Sequence, residues 1–167
     1  MKVIDTERLT IRHFEHRDAD FIVRLLNDPS FIRHIADKGV RTREEAVRYL
    51  EHGPMASYRA HGFGLNLVQL KGEGTPIGMC GLVKRDELAG PDLGYAFLPA
   101  FCGRGYAFEA AAAVLDQGMA AHALEAVLAV TLPDNSRSHR LLNRLGFSAT
   151  GTVERYGARN TFFEYRH

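Results

Sequence analysis

The sequence predicts an α/β protein, an α+β arrangement with a central, mostly antiparallel mixed sheet and flanking helices. Short apolar or alternating runs are interleaved with longer segments whose apolar residues recur at helical spacing. In the middle of the chain, Lys71-Gly72-Glu73-Gly74 separates two strand-like runs, a pattern typical of a β-hairpin. Helices interleaved with such strands predict a layered sheet rather than a helical bundle.

The N-terminal third is predicted to hold one strand and two helices. Residues 8–12 alternate apolar and polar side chains, as a half-buried strand does. Asp18 or a near neighbour is expected to cap the first helix, which ends near Asp28. Thr42 and Glu45 have the spacing of a capping box, so a second helix is predicted to begin at Thr42.

The rest of the chain alternates more regularly. The predicted elements are strands 64–70, 76–83 and 93–98, helix 105–121, strand 126–130, helix 136–145, and strands 147–153 and 161–165. The near-continuous apolar run at 126–130 is typical of a central strand that is covered on both faces. Gly146 stands where glycine commonly ends a helix.

Length and composition narrow the classes of function. The 167 residues predict one domain, residues 1–167, that is long enough to bury a core. A formal net charge of +1 argues against a nucleic-acid or membrane partner, so any anionic ligand must be held by a local site. Cys80 and Cys102 form no disulfide or zinc pattern, and no apolar stretch reaches transmembrane length. A cytoplasmic location is expected.

The glycine-rich turn at residues 103–107, between a strand and an alanine-rich helix, is the segment most indicative of chemistry. The first turn of a helix has backbone N–H groups without internal partners, and the helix dipole adds about half a positive charge there. Glycine lets the backbone approach a bulky anion, and Arg104 could add a direct charge contact. The turn therefore predicts a phosphate-binding site.

Several alternatives compete for this turn. The stretch from Gly103 to Phe108 lacks the third glycine of a dinucleotide fingerprint, and Glu125 precedes its strand instead of following it. No Gly-Lys-Ser or Gly-Lys-Thr is present for a kinase-type phosphate loop. A tight loop that merely packs a helix on a strand remains open. The eight histidines lack metalloprotease spacing, so no metal is expected.

Three segments together resemble a known family. Residues 92–99 followed by 103–110 resemble the acetyl-CoA motif of the GNAT N-acetyltransferases. Residues 135–138 and 141–147 resemble the next signature of that family, and residues 6–12 resemble the start of its ribosomal-protein N-terminal (Rim-type) branch. The motifs occur in the family's order, and the resemblance covers nearly the whole chain.

This resemblance implies a sheet that is splayed between its fourth and fifth predicted strands, with acetyl-CoA in the gap. Backbone groups of Phe97 and Leu98 would hold the pantetheine arm, and Asn135 would approach from the other strand. The pyrophosphate would be bound by backbone N–H groups of Gly103, Gly105, Tyr106 and Ala107. Cys102 stands where the family usually has Gln or Arg, at a position that chiefly presents a backbone group.

The implied activity is direct transfer of an acetyl group to a primary amine, either a protein N-terminal α-amine or a small-molecule amine. Many relatives have a Tyr where this chain has Leu142, which leaves Ser138 as the candidate partner of the leaving sulfur. Asp92 is the candidate base. The alternative is an acyl-CoA-binding sensor or scaffold that lacks turnover. The expected state is a monomer or homodimer.

Overall fold

The computed structural model describes residues 1–155 and 157–166, and within them one mixed sheet of eight strands carries helices on both faces. The strands are β1 (Lys2–Asp5), β2 (Leu9–Arg12), β3 (Leu65–Leu70), β4 (Pro76–Val83), β5 (Asp92–Phe97), β6 (Ala126–Thr131), β7 (Ser148–Arg155) and β8 (Ala158–Arg166). Their spatial order is β1-β2-β3-β4-β5-β6-β8-β7. Neighbouring strands pair antiparallel except β5 and β6, which are parallel. The predicted fold class is confirmed.

Helices cover the two faces of the sheet unequally. They are α1 (Ala19–Leu26), α2 (Pro29–His34), α3 (Arg43–His52), α4 (Pro54–His61), α5 (Tyr106–Ala121) and α6 (Ser136–Leu145). Successive strand residues point to opposite faces. Accordingly, Val68 and Cys80 pack in one core with residues of α5 and α6, whereas Leu67 and Met79 pack in another with residues of α1, α2 and α3. The sheet thus separates two cores.

The parallel pair β5–β6 opens into a split. Among the described residues, the one paired position between these strands is Asp92 with Leu128, where the Leu128 N–H donates to the Pro91 carbonyl at 2.9 Å. Beyond it the strands diverge toward Phe97 and Thr131. Strands β5 and β6 correspond to the fourth and fifth predicted strands, so the expected splay is confirmed. The split lies between the two cores.

Three elements were not predicted: β1, α2 and α4. The first helix ends near Asp28 as predicted, and a further helix begins there, because the Asp28 carboxylate accepts from the Ser30 N–H at 3.0 Å and Pro29 occupies the first turn. Gly53 and Pro54 likewise end α3 and begin α4. Proline suits a first helical turn as well as a break, and here the chain uses it for the former.

Two of the other capping predictions are confirmed, at Thr42 and Gly146, and the one at Asp18 is not. Thr42 accepts from the Glu45 N–H at 3.1 Å, and Glu45 accepts from the Thr42 N–H at 3.0 Å. Gly146 ends α6 in the left-handed conformation, with φ of 106°. Asp18 precedes α1 but makes no side-chain cap to that helix; its carboxylate binds the Arg12 guanidinium at 2.8 and 2.9 Å.

Candidate active site

A cleft of about 1170 Å³ follows the split between β5 and β6. On the α5–α6 face it is lined by the glycine turn and by residues of α6. On the opposite face it is lined by residues of α2, α3 and α4, among them Phe31, His34, His52 and Ser57. The cleft therefore connects the two faces of the sheet, so two molecules could meet in the split from opposite sides.

Most residues that the sequence singled out converge on this cleft. Those that line it are Asp92, Phe97, Gly103, Gly105, Ala107, Asn135 and Ser138. Leu98, Arg104 and Tyr106 lie outside the lining. Leu98 is buried in the core shared with α1–α3, and Arg104 is exposed. Their side chains are therefore the least suited of the set to direct contact with a molecule in the cleft.

The glycine turn needs glycine for its backbone. Gly103 and Gly105 have φ of 78° and 84°, the left-handed region that other residues adopt at a cost. Gly105 occupies the N-cap position of α5 and has no side chain to cap the helix. The N–H groups of the first α5 turn are therefore not satisfied by an N-cap side chain, which makes this helix start suited to an anion.

Arg8, in the N-terminal segment, holds the glycine turn and the start of α5 in place through hydrogen bonds. Arg8 donates to the Glu109 carboxylate from Nε at 2.7 Å and to the Arg104 carbonyl from Nη1 at 3.0 Å. Its guanidinium also lies 4.5 Å from the centre of the Tyr106 ring. Burial acts to raise the pKa of Glu109, but hydrogen bonds from Thr6 and Arg8 outweigh it and lower that pKa. Arg8 thus holds an ionised carboxylate at the helix start.

The backbone of β5 corrects one prediction. The Leu98 N–H donates to the Ile77 carbonyl of β4 at 2.9 Å, so it is not available to a ligand. In an antiparallel pair, alternate residues turn their N–H groups away from the partner strand. The N–H groups of Phe97 and Tyr95 therefore face the split. Of the two predicted backbone donors, Phe97 remains, and Tyr95 joins it.

Tyr95 is the functional candidate that the sequence reasoning missed. Its hydroxyl and the Ser138 Oγ share a short hydrogen bond across the split, and both residues line the cleft. Asn135 fixes Ser138 by accepting from its N–H at 3.3 Å as the N-cap of α6. Burial raises the pKa of Tyr95 to about 12, so the phenol is protonated at neutral pH. Tyr95 is the only hydroxyl-bearing residue of β5, a signal that could have been used.

Asp92 lies at the closed end of the split. The residue is only 2% exposed, and its carboxylate accepts a hydrogen bond from the Arg85 Nε at 2.9 Å. Burial raises the pKa of Asp92, while the charges of Arg85 and Arg155 oppose that rise without cancelling it. Asp92 and Phe97 are five strand steps apart, roughly 17 Å along β5. A base at Asp92 and an anion at the glycine turn would thus occupy opposite ends of the cleft.

The charges along the cleft are unequal in sign. Among the residues described, seven Lys and Arg but only three Asp line it. Two of those carboxylates already have partners: Asp28 caps α2, and Asp92 pairs with Arg85. The lining thus offers little to attract a molecule of high positive charge.

Comparisons with known proteins agree with this geometry. Residues 8–148 match the family model described as an acetyltransferase (GNAT) domain. The uncharacterised N-acetyltransferase YnaD of Bacillus subtilis is 30% identical over 148 residues, which cover 89% of this chain and 84% of YnaD.

Solved structures share the fold across the whole chain. An acetyltransferase from Agrobacterium tumefaciens has a TM-score of 0.84 and 23% identity, covering 100% of this chain and 95% of its own. RimL, a ribosomal L7/L12 α-N-protein acetyltransferase solved with coenzyme A, has a TM-score of 0.86 and 14% identity, covering 99% and 98%. The chain belongs to the GNAT family of acetyltransferases.

Proposed function

We propose that this chain transfers the acetyl group of acetyl-CoA directly to an α-amine, most suitably the N-terminus of a protein in the manner of the Rim-type branch. The observation that carries the proposal is the split between β5 and β6. It has an anion-suited helix start at one end, a buried carboxylate at the other, and the Tyr95–Ser138 pair between them.

The cleft fits the donor in three respects. The first turn of α5 offers N–H groups for the pyrophosphate. The N–H groups of Tyr95 and Phe97 face the split, and that of Phe97, nearer the glycine turn, can bond to an amide of a pantetheine arm as a neighbouring strand would. Asn135 lines the cleft from the β6 side. The structural neighbour RimL, solved with coenzyme A, supports this donor.

The residues of the split suit the chemistry of acyl transfer. As an amine attacks the thioester, negative charge develops on the carbonyl oxygen, and the Tyr95 N–H, in the residue whose hydroxyl contacts Ser138, is the donor proposed to stabilise it. One such donor typically contributes 100-fold or more in rate. When the carbon–sulfur bond breaks, the thiolate takes a proton from Ser138, and the serine is reprotonated from water in the cleft, which balances the proton that the amine gives up. Tyr95, which is protonated, donates to the Ser138 oxygen and thereby directs the serine hydrogen away from itself.

The attacking amine must lose a proton, and Asp92 is the proposed final acceptor through a chain of waters, because three strand steps, about 10 Å, separate it from Tyr95. Its raised pKa makes it a stronger base than an exposed aspartate. An α-amino group has a pKa of about 7.7–8.0, against about 10.4 for lysine, so an α-amine needs little help from this base. The mechanism thus favours α-amines over lysine side chains.

The sign of the lining charges bears on the acceptor. A polyamine would bring several positive charges into a cleft whose Lys and Arg outnumber its Asp by seven to three among the described residues. A protein N-terminus or an amino-acid-like amine brings one charge, which is lost before attack. This supports the N-terminal α-amine and, second, a small α-amine over a polyamine.

The proposal is tested by measuring release of free CoA thiol from acetyl-CoA with a panel of acceptors. The panel contains peptides with free N-termini, the same peptides with blocked N-termini and a lysine, single amino acids, and spermidine. We expect turnover with the free N-terminal peptides and acetylation at the α-amine by mass spectrometry. Binding of acetyl-CoA without turnover on any acceptor would contradict the proposed transferase activity. Turnover with spermidine alone would mean that the acceptor is a polyamine and not an α-amine.

A further inference from the structure

Three arginines form a row along one side of α6. Arg137, Arg140 and Arg144 are spaced three and four residues apart, which places them on one helix face, and all three line the cleft. We call them the α6 arginine row. Among the described residues, none of the three has a carboxylate within 4.0 Å. Within the part of the chain that the structure describes, no carboxylate therefore neutralises this concentration of positive charge.

The row lies beside the glycine turn. The Arg144 guanidinium sits 3.9 Å from the centre of the Phe108 ring, and Phe108 belongs to the first turn of α5. Arg144 thus bridges the two helix segments that flank the wider end of the split. Because the chain carries a formal net charge of only +1, three guanidinium groups here without a carboxylate partner among the described residues indicate a local anionic ligand.

The donor carries more phosphate than the glycine turn can hold. Coenzyme A has a pyrophosphate and a separate phosphate on the ribose 3′ oxygen. The start of α5 offers N–H groups and roughly half a positive charge, which suits one pyrophosphate. The 3′-phosphate carries its own negative charge and needs a separate partner. Guanidinium groups match phosphate geometry well.

We propose that the α6 arginine row binds the ribose 3′-phosphate of acetyl-CoA and selects this donor over one that lacks the phosphate. The inference rests on the proposed function, since it takes the pyrophosphate to lie at the glycine turn. The row is exposed, so its attraction for phosphate weakens as salt is added. It therefore acts on donor affinity and leaves the chemistry at Ser138 unchanged.

The test compares the dissociation constants of CoA and 3′-dephospho-CoA by titration calorimetry on the full chain. The wild type is expected to bind CoA about tenfold more tightly. The variant Arg137→Gln/Arg140→Gln/Arg144→Gln should lose this preference, while its affinity for dephospho-CoA changes by less than about twofold. Arg159→Gln is the matched control, because Arg159 is an exposed arginine of β8 outside the cleft lining.

Two outcomes overturn the inference while sparing the proposed function. Equal weakening toward both ligands would assign the row to the pyrophosphate, and unchanged affinity for both would leave the row without a part in donor binding. A wild-type chain that binds neither ligand would overturn the proposed function itself. Thermal melts of each variant, compared with Arg159→Gln, separate loss of a contact from loss of the fold.

Discussion

The two ends of the cleft are built in different ways. The end proposed to bind acetyl-CoA, called here the donor end, lies on the α5–α6 face. It consists largely of backbone: a helix start, two left-handed glycines and the free edge of β5. The acceptor end, on the α1–α4 face, consists of side chains that include His34, His52 and the Asp92–Arg85 pair. Backbone sites demand particular residues, whereas side-chain sites accept many combinations. The donor can therefore be read from motifs, and the acceptor cannot.

The largest effect is expected from a substitution that disrupts only the donor end of the cleft. Gly105→Glu forces a side chain into a left-handed backbone, where its Cβ would lie 3.2 Å from the Arg8 Nη2, and adds a negative charge at the anion site. We expect CoA affinity to fall more than about 100-fold in calorimetry. Gly72→Glu is the control, since Gly72 has φ of 86° but lies in the β3–β4 turn. Equal losses in both variants would show a folding defect.

The next effect separates chemistry from binding at the donor end. Ser138→Ala removes the proposed proton donor to sulfur, so we expect kcat to fall about 100-fold while the CoA dissociation constant is unchanged. Tyr95→Phe should lower kcat by a smaller factor, and it should add nothing further in the Ser138→Ala background, because the two hydroxyls act as one unit. Steady-state kinetics provide the measurement. Additive losses would mean that the pair does not act together.

A smaller effect probes the acceptor end. Asp92→Asn should lower kcat about tenfold, since an α-amine needs only modest help from a base. Burial raises the pKa of Asp92, so in the wild type kcat should fall as pH drops through a value above the usual range of aspartate, where the carboxyl becomes protonated. The variant should lack this acidic limb. Glu87→Gln, at an exposed carboxylate in the loop before β5, is the control and should retain the limb, moved slightly to lower pH because the Glu87 charge helps to raise the pKa of Asp92.

The smallest effect sharpens the role of the N-terminal segment. Arg8→Ala leaves the Glu109 carboxylate uncompensated beside the anion site, so we expect KM for acetyl-CoA to rise about fivefold. Acetyl-pantetheine, which has no pyrophosphate, should show no change. Arg8→Ala/Glu109→Gln should recover most of the loss, because the repelling charge is gone. A rise in KM for both acetyl-CoA and acetyl-pantetheine would show that Arg8 supports only the structure of the turn and not the binding of the pyrophosphate.

Features set by the local backbone could be predicted from the sequence for physical reasons. Left-handed φ at Gly103 and Gly105 restricts those positions to glycine, and the Asn135 cap of α6 restricts its position to a few polar residues. The capping box at Thr42 was recognised for the same reason. A local backbone requirement restricts which residue types can occupy a position, so it can be inferred from the sequence without knowledge of the fold.

The remaining features depend on contacts between distant segments. The bond between Tyr95 and Ser138 joins residues 43 positions apart, and the contacts of Arg8 with Glu109 span 101. The use of the Leu98 N–H followed from the β4–β5 register, which the sequence did not specify. Helices α2 and α4 were not predicted, because a proline in a first helical turn looks the same in the sequence as a proline at a break. Each of these features required the fold before it could be seen.

The single pairing of Asp92 with Leu128 has a thermodynamic consequence. Apart from that position, the backbone of β1–β5 is hydrogen-bonded separately from that of β6–β8 among the described residues, although the α5–α6 core joins both. A ligand in the split contacts both parts and binds only when they are assembled. Folding and donor binding are therefore linked: a donor at 100 times its dissociation constant would stabilise the chain by about 2.7 kcal/mol. The lifetime of the folded chain would then follow the acetyl-CoA supply around it.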